Sequence, residues 1–329
     1  MRIVLDAMGS DDHPKPELEA VDEAQRLWGE RISLTGPAEV LGTLVDPSRF
    51  DIVDAPEVME MDDKPSLAAK NKPNSSMAVG MRLLKEESAD AFVTMGNTGG
   101  AMATALFQLG RIRGVKRPAL SPVFPVQDGS TVVIDIGANT DCRPEYLLQF
   151  GIMGSIYAEV FLERSNPQVA LLSTGEEEGK GNMLIEEADL LLRDSGLNYI
   201  GNVEPRELYE GKADVVVTDG FSGNIFLKTS EAVAAMLMKM VRAEIKASPI
   251  TAAGGYLAQP AFRRVGKLMD PSEYGAVPLL GIDGLVFIGH GRSNAHAIVN
   301  ALRATRKAVS AGLMEALREG IGASFEESN

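Results

Sequence analysis

The stretch VVVTDGFSGNIFLK, residues 215–228, decides the reading of the fold. Three consecutive valines suit a short strand buried on both faces, as in a parallel sheet. Asp219 and Gly220 then break the run, and a long helical pattern follows. A strand candidate over Val215–Thr218 thus passes through a glycine-bearing turn into a helix candidate over 222–246. Outward from this stretch the same unit recurs. VTMGNTGGAMA sets Gly96, Asn97, Thr98 and Gly99 after a strand candidate at Ala91–Thr94. VIDIGANTDC sets Gly137, Ala138, Asn139 and Thr140 after one at Thr131–Ile136, and LLSTGEEEGKGN follows one at Val169–Ser173.

Further strand candidates lie at Arg2–Asp6, Ile32–Thr35 and Leu285–Ile288. Helix candidates lie near 16–28, 75–87, 98–109, 144–163, 182–194 and 293–318. This alternation predicts an α/β fold, Rossmann-like, in α/β/α layers with a mostly parallel sheet. The rhythm lapses near 236–270. We therefore expect one domain, 1–329, with a helical protrusion at about 230–272.

In open α/β sheets, ligands bind outside the carboxyl ends of the strands. Glycine lets backbone approach a ligand, and a helix start offers unpaired N–H groups to an anion. A single turn of this kind is common. Four at one edge of one sheet predict a wide cleft for an anion, with Asn97, Thr98, Asn139, Lys180, Ser222, Asn224 and Lys228 as donors. The dinucleotide fingerprint G-x-G-x-x-G is missing.

STGEEEGKGN, residues 173–182, is not a phosphate-binding P-loop. That motif needs four residues before its Gly-Lys pair and then a hydroxyl for magnesium. Here three glutamates intervene and Gly181 stands in the hydroxyl position. A nucleophile is equally hard to find. No G-x-S-x-G elbow is present, and Cys142 has no histidine near it in sequence, so an inert buried thiol is expected. The histidines, His13, His290 and His296, match no metal-binding spacing, and no cofactor is expected. His290 either reaches the cleft or caps its own loop. The acidic run with Asp6, Asp11 and Asp12 either binds a cation or caps the helix that follows.

The chain has 329 residues, 45% of them apolar, and a net charge of −14, which argues against nucleic acid. One cysteine fits a reducing cytoplasm. The first apolar run is too short for a secretory signal, and none reaches bilayer-spanning length. Two basic clusters stand out: Arg111, Arg113, Lys116 and Arg117; then Lys239, Arg242, Lys246, Arg263, Arg264 and Lys267. Leu237, Val241 and Ile245 recur at four-residue steps beside the second cluster. That is a basic amphipathic helix, suited to an anionic membrane, an acidic partner, or a core-packed position with a solvated face. An apolar, glycine-bearing loop over 249–262 is expected after it.

The segments LDAMGSD, FVTMGNTGGAM, DIGANTDCRPEYLLQF, STGEEEGKGN, IGNVEPREL, DVVVTDGFSGNIFLKTSE and YGAVPLLGIDGLVFIGHGRSNA resemble, in order, the bacterial phosphate acyltransferases of phospholipid synthesis, the PlsX family. The match runs from Asp6 to about Ala304, with Ser10 standing where a second glycine is usual. The resemblance implies transfer of a long-chain acyl group from acyl-[acyl-carrier protein] to inorganic phosphate. It implies a fold related to phosphate acetyltransferases and to isocitrate and isopropylmalate dehydrogenases. It also implies a homodimer, cytoplasmic and loosely membrane-associated, passing its product to a glycerol-3-phosphate acyltransferase. On this resemblance Lys180 and Asn224 are the catalytic positions. Asn97, Thr98, Asn139, Ser222, Lys228 and His290 are expected to bind substrate or phosphate. Arg111, Arg113, Lys116, Arg117, Arg263, Arg264 and Lys267 are expected to steer the acidic carrier protein. The alternatives are a phosphate acetyltransferase acting on acyl-CoA, a decarboxylating dehydrogenase, and a non-catalytic scaffold that recruits carrier protein.

Overall fold

The computed structural model describes residues 1–46, 50–268 and 270–326. Met269, inside the expected protrusion, and residues 47–49 and 327–329, inside the expected domain, lie outside the described residues.

The strands are β1 (Ile3–Asp6), β2 (Ile32–Gly36), β3 (Asp51–Asp54), β4 (Ala91–Thr94), β5 (Ala119–Leu120), β6 (Val123–Val126), β7 (Gly129–Ile134), β8 (Val169–Leu172), β9 (Tyr199–Val203), β10 (Val215–Val217), β11 (Ala276–Leu280) and β12 (Leu285–Gly289). The helices are α1 (Lys15–Trp28), α2 (Ala38–Leu44), α3 (Pro65–Asn71), α4 (Ser76–Lys85), α5 (Thr98–Gln108), α6 (Pro144–Phe161), α7 (Met183–Arg193), α8 (Pro205–Glu210), α9 (Gly220–Ile245), α10 (Pro249–Leu268), α11 (Ala295–Ser310) and α12 (Leu313–Glu326).

The alternation is as predicted, but the single sheet is not. Seven strands order as β3-β2-β1-β4-β12-β11-β5, and a separate five order as β6-β7-β10-β8-β9. Each central block is parallel: β1 pairs with β2 and β4, and β10 with β7 and β8. Antiparallel strands lie toward the edges, with β11 on β12 and β6 on β7. Val215, Val216 and Val217 are all fully buried. Each apolar side chain enclosed in this way contributes roughly 1.5–3 kcal/mol. One core cluster contains Leu5, Val93 and Phe287 of the large sheet together with Ile134, Leu171 and Val217 of the small one. The four glycine-bearing turns are therefore divided. The turn after β4 belongs to the large sheet, and those after β7, β8 and β10 to the small one.

Three further expectations change. Residues 249–262 form most of α10 rather than a loop. Pro249 suits a first helical position, the Ser248 hydroxyl accepts from the Thr251 amide, and alanines carry the helix on. The single helix expected over 293–318 is two. It breaks at Gly312, whose φ of 69° lies in the left-handed region that suits glycine. The aspartates after β1 do not cap α1, because Pro14 precedes that helix and no side chain caps it.

Candidate active site

The turn that opens α9 is built by close approach. The Asp219 carboxylate accepts from the amides of Phe221 and Ser222, and the Gly220 amide donates to the Asn139 carbonyl at 2.8 Å. A Cβ on Gly223 would lie 2.0 Å from the Asp135 carbonyl oxygen, so only glycine lets α9 settle on the end of β7. That seat places the Asn224 side chain against Gly137, 3.6 Å from where a Cβ there would stand.

The turn after β7 looks inward. The Asp135 side chain, fully buried, accepts from the amides of Leu120, Gly137, Ala138 and Asn139 and from Asn139 Nδ2, at 2.7 to 3.1 Å. Burial raises this carboxyl, and the surrounding N–H donors oppose the rise. Asn139 Nδ2 also donates to the Pro118 carbonyl at 2.7 Å. Asn139 and its turn thus bind the protein's own carboxylate.

The turn after β8 looks outward. Asn202 Nδ2 on β9 donates to the carbonyls of Glu177 and Lys180, both at 3.4 Å, and the Ser173 hydroxyl donates to the Lys180 carbonyl at 3.2 Å. Asn182 caps α7 by accepting from the Ile185 amide. These bonds hold the backbone and leave the Lys180 ammonium exposed, with no hydrogen-bond or ionic partner among the described residues. Ser173 and Asn202 were not foreseen as functional. Both sit inside quoted motifs, but nothing local in sequence says that β9 supplies the clamp for the turn after β8.

Asn97 caps α5, accepting from Gly100 and donating to the carbonyls of Met61 and Asp63. Its side chain is thereby committed. The amides of Thr98 and Gly99 in the first turn have no acceptor among the described residues, and both residues line the cavity next described.

A cavity of about 1750 Å³ opens between the two sheets and α9. Thr98, Ser222, Asn224, Lys228 and His290 line it, as do Gly181 and Asn182 beside Lys180. Asn97, Asn139 and the Lys180 side chain do not. Much of the wall is apolar, including Phe124, Ile225, Leu237 and Val277. His290, after β12, and Lys228 of α9 both line the space. Desolvation by the cavity wall lowers the imidazole below its ordinary value, and the Lys228 cation adds to the effect. Lys228 in turn donates to Glu231 at 3.0 Å. Cys142 is half-buried, and burial pushes its thiol up to about 12, so no thiolate nucleophile is present near neutral pH.

The basic clusters part company. The Ile112 amide donates to Gly281 at the turn entering β12, the opposite end of that strand from His290. Arg111 and Arg113 are exposed there, Lys116 is exposed in the same segment, and Arg117 stacks over Tyr146 at 5.7 Å. Arg263, Arg264 and Lys267 instead flank Val265 and Leu268, which line the cavity.

Two-sheet architecture of this kind places the chain in the fold class of the phosphotransacetylases. The solved phosphotransacetylase from Streptococcus pyogenes superposes with a TM-score of 0.63 at 17% identity, over 94% of each chain. The branched-chain phosphotransacylase from Enterococcus faecalis V583 gives 0.59 at 14% identity, over 94% of this chain and 99% of that one. In sequence, residues 1–316 match the family model described as fatty acid synthesis protein. The phosphate acyltransferase of Dictyoglomus thermophilum is 45% identical over 328 residues, 98% of each chain. That of Desulforudis audaxviator is 45% identical over 324 residues, 98% of this chain and 96% of the other. The chain belongs to this family and is an enzyme of the acyltransferase class.

Proposed function

We propose that the protein moves a long-chain acyl group from acyl-[acyl-carrier protein] to inorganic phosphate, making acyl phosphate for phospholipid synthesis. The observation that carries this reading is the cavity. Its volume exceeds the roughly 300–1,000 Å³ of ordinary small-molecule sites, its wall is largely apolar, and its lining includes the polar residues Thr98, Ser222, Asn224 and His290, with Gly181 and Asn182 of the Lys180 loop. An acyl chain suits the wall and a phosphate suits the donors.

The chemistry needs no attacking side chain. A phosphate oxygen bonds to the thioester carbonyl carbon, whose oxygen becomes an oxyanion. Collapse re-forms the carbonyl, breaks the C–S bond and releases the carrier thiolate, which takes up a proton. Lys180 orients the phosphate dianion, and Asn224 donates to the oxyanion with the Thr98 and Gly99 amides close by. Transfer of acetyl from a coenzyme A thioester is the weaker reading, because acetyl would leave most of the apolar wall empty. Mass-spectrometric detection of acyl phosphate from purified protein, palmitoyl-carrier protein and phosphate tests the proposal. Product from acetyl-CoA alone would overturn it.

We further propose that the chain is one domain whose hairpin, about 230–272, makes the contacts outside it. Met236, Met240 and Val241 expose apolar surface along α9, and Ile250, Tyr256 and Leu257 along α10. No described helix is long and apolar enough to cross a membrane. The stem would pair with a second copy, and the tip would rest on the membrane surface near the glycerol-3-phosphate acyltransferase that takes the product. Arg263, Arg264 and Lys267 are better placed than Arg111 to Arg117 to receive an acidic carrier at the cavity. Charge reversal at Arg263 and Arg264 is expected to reduce both carrier affinity and sedimentation with anionic vesicles. Unchanged values would remove this part of the reading.

A further inference from the structure

A buried polar knot follows β1, outside the cavity. Glu17, in the first turn of α1, is fully buried. Its Oε1 accepts from the Ser10 amide at 2.9 Å, while its Oε2 has no hydrogen-bond partner among the described residues. The Ser10 hydroxyl, on a residue only 2% exposed, also has no well-formed hydrogen bond among the described residues. His13 Nδ1 lies 2.7 Å from the Ser10 carbonyl oxygen. Asp6, fully buried beside them, accepts from the Thr94 hydroxyl at 2.7 Å and from the Met8 amide at 3.0 Å.

This turn is wedged between two turns that face the cavity. On one side, a Cβ on Gly9 would stand 2.8 and 2.9 Å from the amide nitrogens of Met95 and Gly96, the segment that leads to Thr98. Thr94 ties the same two segments, accepting from Gly96 at 3.0 Å while donating to Asp6. On the other side, the Asp11 amide donates to the Gly291 carbonyl at 2.8 Å, next to His290. The Asp11 side chain fills the place a Gly291 Cβ would take, at 2.5 Å.

We propose that Glu17 is a positioning residue for this site: through the Ser10 amide it fixes the 8–12 turn, and that turn sets where Thr98 and His290 stand at the cavity. The setting makes the positioning sensitive to pH. Burial pushes the Glu17 carboxyl up to about 7, with Ser10 opposing the rise and Asp6 adding to it. Asp6 and His13 are the titratable neighbours in the knot. On α11, which runs along α1, Arg303 and Arg306 are engaged with Trp28 at the far end of α1. An ionised Glu17 therefore holds an enclosed charge with one well-aligned amide donor, the Ser10 hydroxyl and its own amide lying near the carboxylate without completing its hydrogen bonding. It gains by drawing in water or the Ser10 hydroxyl, which moves the turn.

The rate consequence rests on the function proposed above, so the test carries a second readout that does not. The His290 imidazole resonances and the rate of acyl phosphate formation are followed from pH 5.5 to 8.5 in the full-length protein and in Glu17→Gln and Glu17→Ala. In the parent, the His290 resonances are expected to show an inflection near pH 7, separate from the lower titration of His290 itself, and the rate is read as a ratio of variant to parent at each pH, so that the titration of inorganic phosphate cancels. Glu17→Gln keeps an oxygen for the Ser10 amide and is expected to lose that inflection. Glu17→Ala loses the acceptor and is expected to slow turnover by up to about 10²-fold at every pH, the scale of a small misplacement of reacting groups. A His290 inflection near 7 that persists in Glu17→Gln overturns the proposal, as does a Glu17→Ala protein with parental rate and parental His290 shifts. Should Glu17→Ala fail to fold, Glu17→Gln decides alone. Should no protein form acyl phosphate, the function reading fails and the resonances decide this one.

Discussion

The turns after β7 and β8 start from the same kind of sequence and end in opposite states. Each follows a buried strand, carries glycine and polar residues, and feeds a helix. After β7, five N–H groups converge on the Asp135 carboxylate, and the turn is closed. After β8, Asn202 and Ser173 grip carbonyl oxygens, so the backbone is fixed from behind and Lys180 stays open. Glycine content does not separate a structural turn from a substrate loop. The deciding feature is whether a buried acceptor of the protein already takes the donors.

The sharpest way to break this comparison is Asp135→Ala. It strips the fully buried acceptor from five donors and should cost about 3–5 kcal/mol, read by urea denaturation. Lys180→Ala, at an exposed residue, should change stability by no more than about 0.5 kcal/mol. Similar losses in the two variants would erase the distinction. In turnover the ranking reverses for Lys180. Lys180→Ala and Asn224→Ala, both folded, should each lower kcat about 10²–10³-fold, the usual cost of one oxyanion donor. Near-parental rates in both would remove the site assignment.

Glu17 offers a third case, a buried carboxyl with one amide donor where Asp135 has several. Its acid form is favoured by folding, since burial lifts it from 4.5 to about 7. The native state then binds more protons than the unfolded chain between those values, so stability falls as pH rises through that window and levels off above it. The drop should be on the order of 3 kcal/mol and absent in Glu17→Gln. Equal pH dependence in parent and variant would show that Glu17 ionises freely. A smaller effect sharpens the open turn. Asn202→Ala should slow turnover by roughly tenfold by loosening the loop. It should add little on top of Lys180→Ala, because the two residues act as one unit. The smallest effect is expected at Cys142, where Ser should leave the rate within about twofold. An inactive Cys142→Ser, with acyl thioester trapped on the parent, would point to a covalent route that the raised thiol argues against.

Much of the fold was legible from residue order. Strand candidates such as Ala91–Thr94 and Leu285–Ile288 fall on β4 and β12, because parallel strands buried on both faces read as unbroken apolar runs. The helix at 98–109 and the one at 144–163 fall within two residues of α5 and α6. Strands β3, β5, β6, β9 and β11 escaped notice; Gly201 and Asn202 interrupt the pattern in β9, and Pro278 does so in β11. Residues 249–262 read as a loop because glycine and proline carry low helix propensity, which a capped, alanine-rich segment overcame. At the site, Ser222, Asn224, Thr98 and His290 were visible as polar residues at strand ends, and they do line one cavity.

Residue order thus specified which segments extend, which coil, and which turns carry donors, because those properties depend on neighbours a few positions away. It also carried the family, through motifs spread over nearly the whole chain. Pairing in space settled the rest: two sheets instead of one, β9 behind Lys180, and the Glu17 knot touching both cavity turns. Such outcomes join residues tens to hundreds of positions apart, as with Asp11 and Gly291. No local pattern encodes them, since hydrogen-bond satisfaction and close packing are settled only when the distant partners meet.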